Sequence, residues 1–179
     1  MDLFNIQSIN LSRLLREGGS AEAGGEIHGV IRAGEEEFHL DGPDLWKASV
    51  TAVGDGEFWL SGEIAGKVVM ECARCLEPTS AAVRAYFQHM LRYEPGQDQI
   101  ELIEEGEEEV YLFGHPDLDL SSFLAEAFVS AMPFTVLCKE NCKGLCPVCG
   151  ANRNLVDCGH AAPHDGGKLS GLKRFLDEV

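Results

Sequence analysis

The sequence is poor in positive charge. Its 179 residues contain 14 Lys and Arg against 30 Asp and Glu, which gives a formal net charge of −16. A chain this acidic is kept in solution by its charge and is repelled by nucleic-acid phosphates. Residues 138–179 hold six basic and five acidic side chains, so residues 1–137 carry −17. The composition therefore argues against nucleic-acid binding by residues 1–137.

Long apolar runs are also missing. No window approaches 18 unbroken apolar residues, which argues against a membrane span. The first ten residues lack the basic start and apolar stretch of a signal peptide. We therefore expect a cytoplasmic protein with reduced thiols. The odd count of seven cysteines also argues against a framework built from disulfides alone.

Catalytic motifs are the third absence. The chain has no His-Glu-x-x-His, no Gly-x-Ser-x-Gly, no phosphate-binding loop and no dinucleotide fingerprint. No His-x-Glu precedes a Cys-x-x-Cys pair as it does in deaminases. Five histidines are isolated, and we interpret them as surface or packed residues: His28, His39, His89, His115 and His164. We predict a protein that is not an enzyme and has no small-molecule substrate.

What the chain does have is cysteine in only two places. Cys72 and Cys75 form one Cys-x-x-Cys pair. The remaining cysteines lie close together near the end, and His160 follows them: Cys138, Cys142, Cys146, Cys149 and Cys158. Zinc takes four thiolate or imidazole ligands in a tetrahedron, and one Cys-x-x-Cys turn presents two thiolates. Two such pairs and the lack of a nearby general acid or base predict structural zinc.

The eight candidate ligands can be divided in two ways. Two tetrahedral sites would use Cys72, Cys75, Cys138 and Cys142 for the first, and Cys146, Cys149, Cys158 and His160 for the second. A single ribbon-like site would instead use Cys72, Cys75, Cys146 and Cys149 and leave the others spare. We favour two sites slightly, and the simpler single site stays open. The cofactor prediction is therefore Zn²⁺, one or two ions.

Apolar periodicity predicts an α+β fold. We expect an antiparallel β-rich sheet or open barrel, one main packed helix and a C-terminal zinc-knuckle segment. Residues 1–9 are predicted to form a short strand or an extended lead-in. Strands are predicted over 45–53, 57–64, 67–72 and 80–93, with one or two more within 26–40 and a short edge strand over 110–113. Turns are predicted at 41–44, 55–56 and 65–66, and loops at 18–25, 94–109 and 161–167.

Three helices and two domains complete the prediction. The main helix covers 119–131, where apolar residues recur at helical spacing and Asp119 is the N-cap. A short helix is expected over 11–17, capped by Asn10 or Ser12, and another over 169–176. Residues 1–137 form the acidic β-rich domain, and residues 138–179 form the cysteine-rich zinc-binding segment with the C-terminal helix.

The cysteine motifs resemble a known family. Three stretches carry the likeness: Glu71-Cys-Ala-Arg-Cys75-Leu, Leu137-Cys-Lys-Glu-Asn-Cys-Lys-Gly-Leu-Cys-Pro-Val-Cys-Gly-Ala-Asn152, and Cys158. They are similar to the YceD family of bacterial and plastid proteins, the large ribosomal RNA subunit accumulation proteins. Asn152-Arg-Asn154 also fits the family pattern, while His160 stands where the family often has a cysteine. The resemblance implies a non-enzymatic role in ribosomal RNA accumulation and assembly of the large subunit.

The resemblance also implies partners. A basic ribosomal protein or a pre-ribosomal large subunit would suit a chain of charge −16. Direct RNA contact through the C-terminal tail is possible, since that tail holds Lys139, Lys143, Arg153, Lys168, Lys173 and Arg174. Two alternatives remain: a protein whose thiolates release zinc on oxidation, and a small RNA-binding zinc module that uses this tail.

Overall fold

The computed structural model describes residues 7–54, 56–106 and 108–160. The chain divides into two compact units: Met1–Val69 with Ser80–Phe134, and Met70–Thr79 with Thr135–Val179. The domain boundary expected at residue 138 stays a prediction. The predicted C-terminal helix over 169–176 and the link over 161–167 lie outside the described residues.

A six-stranded sheet forms most of the first unit. Its strands are β2 (Ser20–Ile27), β5 (Asp44–Gly54), β6 (Glu57–Glu71), β7 (Pro78–Tyr93), β8 (Glu101–Glu105) and β9 (Glu108–Phe113). Their order in the sheet is β2-β5-β6-β7-β9-β8. The β2–β5, β5–β6 and β8–β9 pairs are antiparallel, whereas β7 and β9 are parallel. Within the described ranges the sheet is open, since β2 and β8 are its two edges. The predicted strand-rich class is confirmed, but the sheet is mixed and not wholly antiparallel as predicted, because β7 and β9 are parallel neighbours.

The remaining elements are short. Two-stranded pairs form from β1 (Ser8–Asn10) with β10 (Asp117–Asp119) and from β3 (Val30–Ala33) with β4 (Glu36–His39). The helices are α1 (Leu14–Glu17) and α2 (Ser121–Ser130). The helix expected over 11–17 begins later than predicted, and its N-cap is Arg13, without a side-chain cap, instead of Asn10 or Ser12. Asn10 Oδ1 accepts the amide of Ser12 in the turn before α1. No helix among the described residues is long and apolar enough to cross a membrane.

The core of the first unit lies between α2 and one face of the sheet. Phe123 of α2 has its ring centroid 5.1 Å from that of His89 on β7 and 5.0 Å from that of Tyr111 on β9. Phe123 is 2% exposed, and full burial of a phenylalanine side chain contributes roughly 1.5–3 kcal/mol. Helical and alternating spacing predict this face correctly, and its buried members include Val83, Ala85, Phe87, Leu91, Leu124 and Phe128. The predicted N-cap is one residue too early, because Leu120 is the N-cap of α2 and makes no side-chain cap. Asp119 Oδ1 accepts the amide of Ser121 from the preceding position.

Two glycine-based predictions are wrong. The loop expected over 18–25 is mostly strand β2, which pairs with β5. Its Gly25 lies against Trp46, where an added Cβ would come within 3.2 Å of the indole nitrogen. The connection expected at 65–66 is also absent, because β6 continues through it. An added Cβ at Gly66 would overlap the carboxylate of Asp44, so this glycine reflects close packing and not a turn.

The acidic stretch over 94–109 was expected to be a loop, but β8 and the start of β9 lie within it. Arg92 on β7 explains part of this, since it donates to both carboxylate oxygens of Glu105, at 2.6 and 2.9 Å, and to Glu57 at 3.0 Å. The Arg92 hydrogen bonds hold the pKa of Glu105 below its usual range. The strand over 110–113 is consequently internal as part of β9, and β8 is the edge strand.

Candidate metal centres

A tight turn between β6 and β7 presents Cys72 and Cys75. The Cys72 amide donates to the carbonyl of Glu77, and the amide of Leu76 donates to the carbonyl of Cys72, both at 2.9 Å. Leu76 has a φ of 61°, in the left-handed region, which lets the chain reverse directly after the second cysteine. Both cysteines are buried. The turn therefore directs two thiols to one side at the end of a long strand.

Residues 135–142 bring two further thiols to this turn. Cys72 and Val136 form a parallel bridge, and the amide of Ala73 donates to the Val136 carbonyl at 2.9 Å. The Sγ atoms of Cys72 and Cys142 are then 3.8 Å apart, and those of Cys75 and Cys138 are 3.6 Å apart. All four Sγ atoms lie within 4.8 Å of one another. We call these four residues the first cluster.

The spacing of the first cluster fits a tetrahedral ion. With zinc–sulfur bonds of about 2.3 Å, the sulfurs of a regular tetrahedron are about 3.8 Å apart. The two sulfur–sulfur distances, 3.8 and 3.6 Å, are close to that value. A disulfide would need about 2.05 Å, and all seven cysteines are free. Four thiol donors at this spacing can hold a metal ion.

The second cluster consists of Cys146, Cys149, Cys158 and His160. The amide of Cys146 donates to the Ala151 carbonyl, and the amide of Gly150 donates to the Cys146 carbonyl, both at 2.8 Å. His160 Nδ1 is 3.7 Å from Cys146 Sγ, and one ligand atom from each residue lies within 4.8 Å of the others. Cys146 is buried, whereas Cys149 and His160 are exposed. Three sulfurs and one imidazole nitrogen therefore form a second, more open group that can hold a metal ion.

Backbone amides favour the thiolate form of one cysteine in each cluster. The amides of Cys138 and Arg74 lower the pKa of Cys72 to about 6. The amides of Cys149 and Val148 likewise lower the pKa of Cys146 to about 6. The lowered pKa favours the thiolate of both side chains, which is the form that binds a metal.

The structure groups all eight predicted ligands, and it does so as in the two-site division. Cys72 and Cys75 share a cluster with Cys138 and Cys142, and not with Cys146 and Cys149 as the single ribbon required. That these eight residues bind a metal stays a prediction.

Two residues that support the first cluster were missed as functional residues. Arg74 Nη1 donates to the Cys142 carbonyl at 3.0 Å, and Asn154 Nδ2 lies 3.3 Å from Cys142 Sγ. Burial raises the pKa of the Cys142 thiol, but hydrogen bonds from Asn154 and the Gly144 amide bring it below its ordinary value. The sequence signals were the Cys-Ala-Arg-Cys75 stretch for Arg74 and the Asn152-Arg-Asn154 pattern for Asn154, and neither indicates the side-chain partner.

Two isolated histidines illustrate the surface and packed settings. His28 is exposed and lies 3.1 Å from a Glu26 carboxylate oxygen. His89 is packed, with its ring centroid 4.9 Å from that of Tyr111, and burial lowers its pKa. His164 lies outside the described residues.

Comparison with known proteins gives a consistent family assignment. The sequence profile described as "Large ribosomal RNA subunit accumulation protein YceD" matches residues 60–176, which include every candidate ligand. An uncharacterized protein of Mycobacterium tuberculosis is 31% identical over 146 residues, covering 80% of this chain and 69% of that protein.

Two plant relatives carry a more specific description. The Zea mays protein named "Large ribosomal RNA subunit accumulation protein YCED homolog 1, chloroplastic" is 23% identical over 142 residues, covering 66% of this chain and 48% of the plant protein. The Arabidopsis thaliana protein of the same name is 28% identical over 145 residues, covering 66% and 45%. No solved structure shows a significant match.

Proposed function

The chain belongs to the YceD family of large ribosomal RNA subunit accumulation proteins, and from this we propose that it is a non-enzymatic zinc-binding factor for assembly of the large ribosomal subunit. The grouping of eight ligand atoms into two four-ligand clusters is the observation that carries the zinc proposal. The family membership carries the ribosomal proposal. We propose that the protein binds zinc and acts in ribosome assembly in the cytoplasm, where thiols stay reduced.

The donor sets support zinc in a structural role. Four thiolates, or three thiolates and one imidazole, are the usual ligands of structural zinc. A catalytic zinc keeps one position open for water or substrate, whereas each cluster here supplies four protein ligands. The ions would then hold the two Cys-x-x-Cys turns in place. They would contribute to folding and not to a reaction.

The charge distribution supports a basic partner, which we propose to be a ribosomal protein or a pre-ribosomal large subunit. The β8–β9 hairpin places Glu104 opposite Glu109 and Glu105 opposite Glu108. Like charges directly opposite on neighbouring strands are destabilising. Arg92 compensates Glu105, while the side chains of Glu104, Glu108 and Glu109 are exposed. A cationic partner would relieve the remaining repulsion.

A pull-down at low salt tests the partner proposal. Tagged protein purified from cells should recover a basic ribosomal protein or a large-subunit precursor, and salt should weaken the recovery. Replacing Glu104→Lys together with Glu109→Lys should reduce it. The matched control, Glu35→Lys with Glu36→Lys, makes the same charge change at other exposed positions and should retain more. Absence of any ribosomal component at low salt would contradict the proposal.

Experiment can distinguish the ribosome-assembly proposal from the two alternatives, a protein that releases zinc on oxidation and an RNA-binding zinc module. The exposure of Cys149 favours an oxidant-released zinc site, which predicts zinc loss with peroxide, a gain of activity and no ribosomal partner. Lys139, Lys143 and Arg153, which are near the clusters in sequence, favour direct RNA contact. That alternative predicts RNA binding that weakens steeply with salt.

A further inference from the structure

Asn154 lies between two ligands of the second cluster in the chain, but its side chain contacts a ligand of the first cluster. It lies in the loop between Cys149 and Cys158, which are ligands of the second cluster. Its side-chain Nδ2 nevertheless lies 3.3 Å from Cys142 Sγ, a ligand of the first cluster, and donates to it. A carboxamide donor at a sulfur stabilises the thiolate that a metal needs.

The orientation of this carboxamide is fixed by its other partners. Asn154 Oδ1 accepts the amide of Lys143 at 2.9 Å. The Nδ2 group also donates to Asn152 Oδ1, at 2.9 Å, and the same oxygen accepts the Asn154 amide at 3.0 Å. Because Oδ1 is taken by a backbone donor, the NH₂ group must be the one that faces the sulfur.

The loop that carries Asn154 is also joined to the segment between Cys142 and Cys146. Leu145 and Asn152 form an antiparallel bridge, and the amide of Arg153 donates to the Gly144 carbonyl at 2.9 Å. The residues that flank this loop, Cys149 and Cys158, are candidate ligands of the second cluster. An ion bound there would hold both ends together, and this would reduce the number of conformations open to residues 150–157.

We propose that the two metal sites are coupled through Asn154. Filling the second site closes the 150–157 loop and keeps the Asn154 carboxamide on Cys142, so the first site holds its ion more tightly. Asn154 is a positioning residue that contacts a ligand and no metal. The coupling is reciprocal, since linkage requires the first ion to strengthen binding of the second by the same factor. This inference rests on the proposed zinc binding.

Zinc release from the full chain tests the coupling. Zinc-loaded protein is mixed with a chromophoric chelator, and the two release phases are assigned by cobalt substitution. The second-site variant, Cys158→Ser with His160→Ala, retains only the first site. Asn154→Ala should still bind two ions but should release the first-site ion about tenfold faster or more, the usual effect of losing an outer hydrogen bond to a ligand. Leu155→Ala is the matched control, because this neighbouring side chain is 77% exposed.

A double-variant cycle separates coupling from local damage. The second-site variant should release its remaining ion faster than wild type, and adding Asn154→Ala should cause little further change. Asn154→Asp keeps an acceptor for the Lys143 amide but removes the donor, so it should also accelerate release if Asn154→Ala folds poorly. Cobalt in place of zinc identifies each site, since a four-sulfur and a three-sulfur-one-nitrogen site absorb differently.

Two outcomes would overturn the inference in different ways. If Asn154→Ala and Asn154→Asp bind two ions and release them at the wild-type rate, the coupling alone is overturned. The coupling alone is also overturned if the accelerations caused by Asn154→Ala and by the second-site variant simply multiply in the combined variant. Wild-type protein that binds no zinc would overturn the metal proposal and the coupling with it.

Discussion

Leu76 and Gly150 occupy the same position in the two Cys-x-x-Cys turns. Each follows the second cysteine, has positive φ (61° and 74°) and donates its amide to the carbonyl of the first cysteine, at 2.9 and 2.8 Å. The two turns therefore share one backbone conformation, although one has a bulky residue where the other has glycine.

This relationship predicts opposite effects of substitution at the two positions. A non-glycine residue in the left-handed region costs about 1–2 kcal/mol, and Leu76 is 55% exposed, so little burial is lost on removing it. Leu76→Gly should raise the free energy of unfolding of zinc-saturated protein by up to about 1 kcal/mol, and Gly150→Ala should lower it by about 1 kcal/mol. Urea denaturation measures both. Leu155→Gly is the control and should be destabilising, because Leu155 is exposed and is not among the positive-φ residues.

The metal content should follow the two clusters. Elemental analysis of protein purified under reducing conditions should give two zinc ions per chain. Cys75→Ser and Cys149→Ser should each bind one ion when zinc is in excess, because each removes one ligand from a different cluster. One ion per chain, abolished by both variants, would mean the single-ribbon arrangement instead.

Stability should fall in mild acid because of His89. Burial lowers its pKa in the folded protein below the ordinary value of about 6.5. The unfolded state therefore binds the proton more strongly, so the stability is complete above about pH 6.5 and is lost as the pH falls from there towards the folded pKa. Denaturation midpoints between about pH 7.5 and pH 5.5 should show this loss.

The His89→Phe variant should show less of this pH dependence, since phenylalanine fills the same aromatic setting without titrating. His39→Gln, which changes an exposed histidine, should keep the wild-type dependence. Equal slopes in wild type and His89→Phe would exclude His89 as the cause.

Gly66 should tolerate no side chain. An added Cβ overlaps the buried carboxylate of Asp44, whose Oδ1 accepts the amide of Lys67 at 2.8 Å. Gly66→Ala should therefore lower the free energy of unfolding by about 1–3 kcal/mol, as overpacking usually does. The cost should be smaller in an Asp44→Ala background, because the clashing carboxylate is then missing. An equal cost in both backgrounds would place the strain elsewhere.

The candidate ligands could be identified from sequence because their signal is local. A Cys-x-x-Cys pair shows its two donors within four residues, and all five remaining cysteines lie in one short stretch. The division into clusters was harder, since it depends on the bridge between Cys72 and Val136, which are far apart in the chain. The roles of Arg74 and Asn154 depend on the same long-range folding.

The fold errors have a common physical cause. Gly25 and Gly66 suggested breaks, yet each glycine makes room for a neighbouring side chain, Trp46 or Asp44, within a continuous strand. The glutamates of β8 suggested a loop, yet Arg92 on β7 compensates the charge of Glu105. In these cases local propensity yielded to a tertiary contact that the sequence pattern does not display.

The order of ligands along the chain has a consequence for folding during synthesis. Cys75 and Cys138 are 63 positions apart, and β7 to β10 and α2 all lie between them, whereas the second cluster takes all its ligands from residues 146–160. A cross-link that closes a loop of this length lowers the conformational entropy of the unfolded chain, which stabilises the folded state by about 4 kcal/mol. An ion in the first cluster can be fully coordinated only after the ribosome has made these strands and the helix. The first ion would thus stabilise the nascent domain only once its strands and helix have been synthesised. The second ion would stabilise only a short segment of the chain.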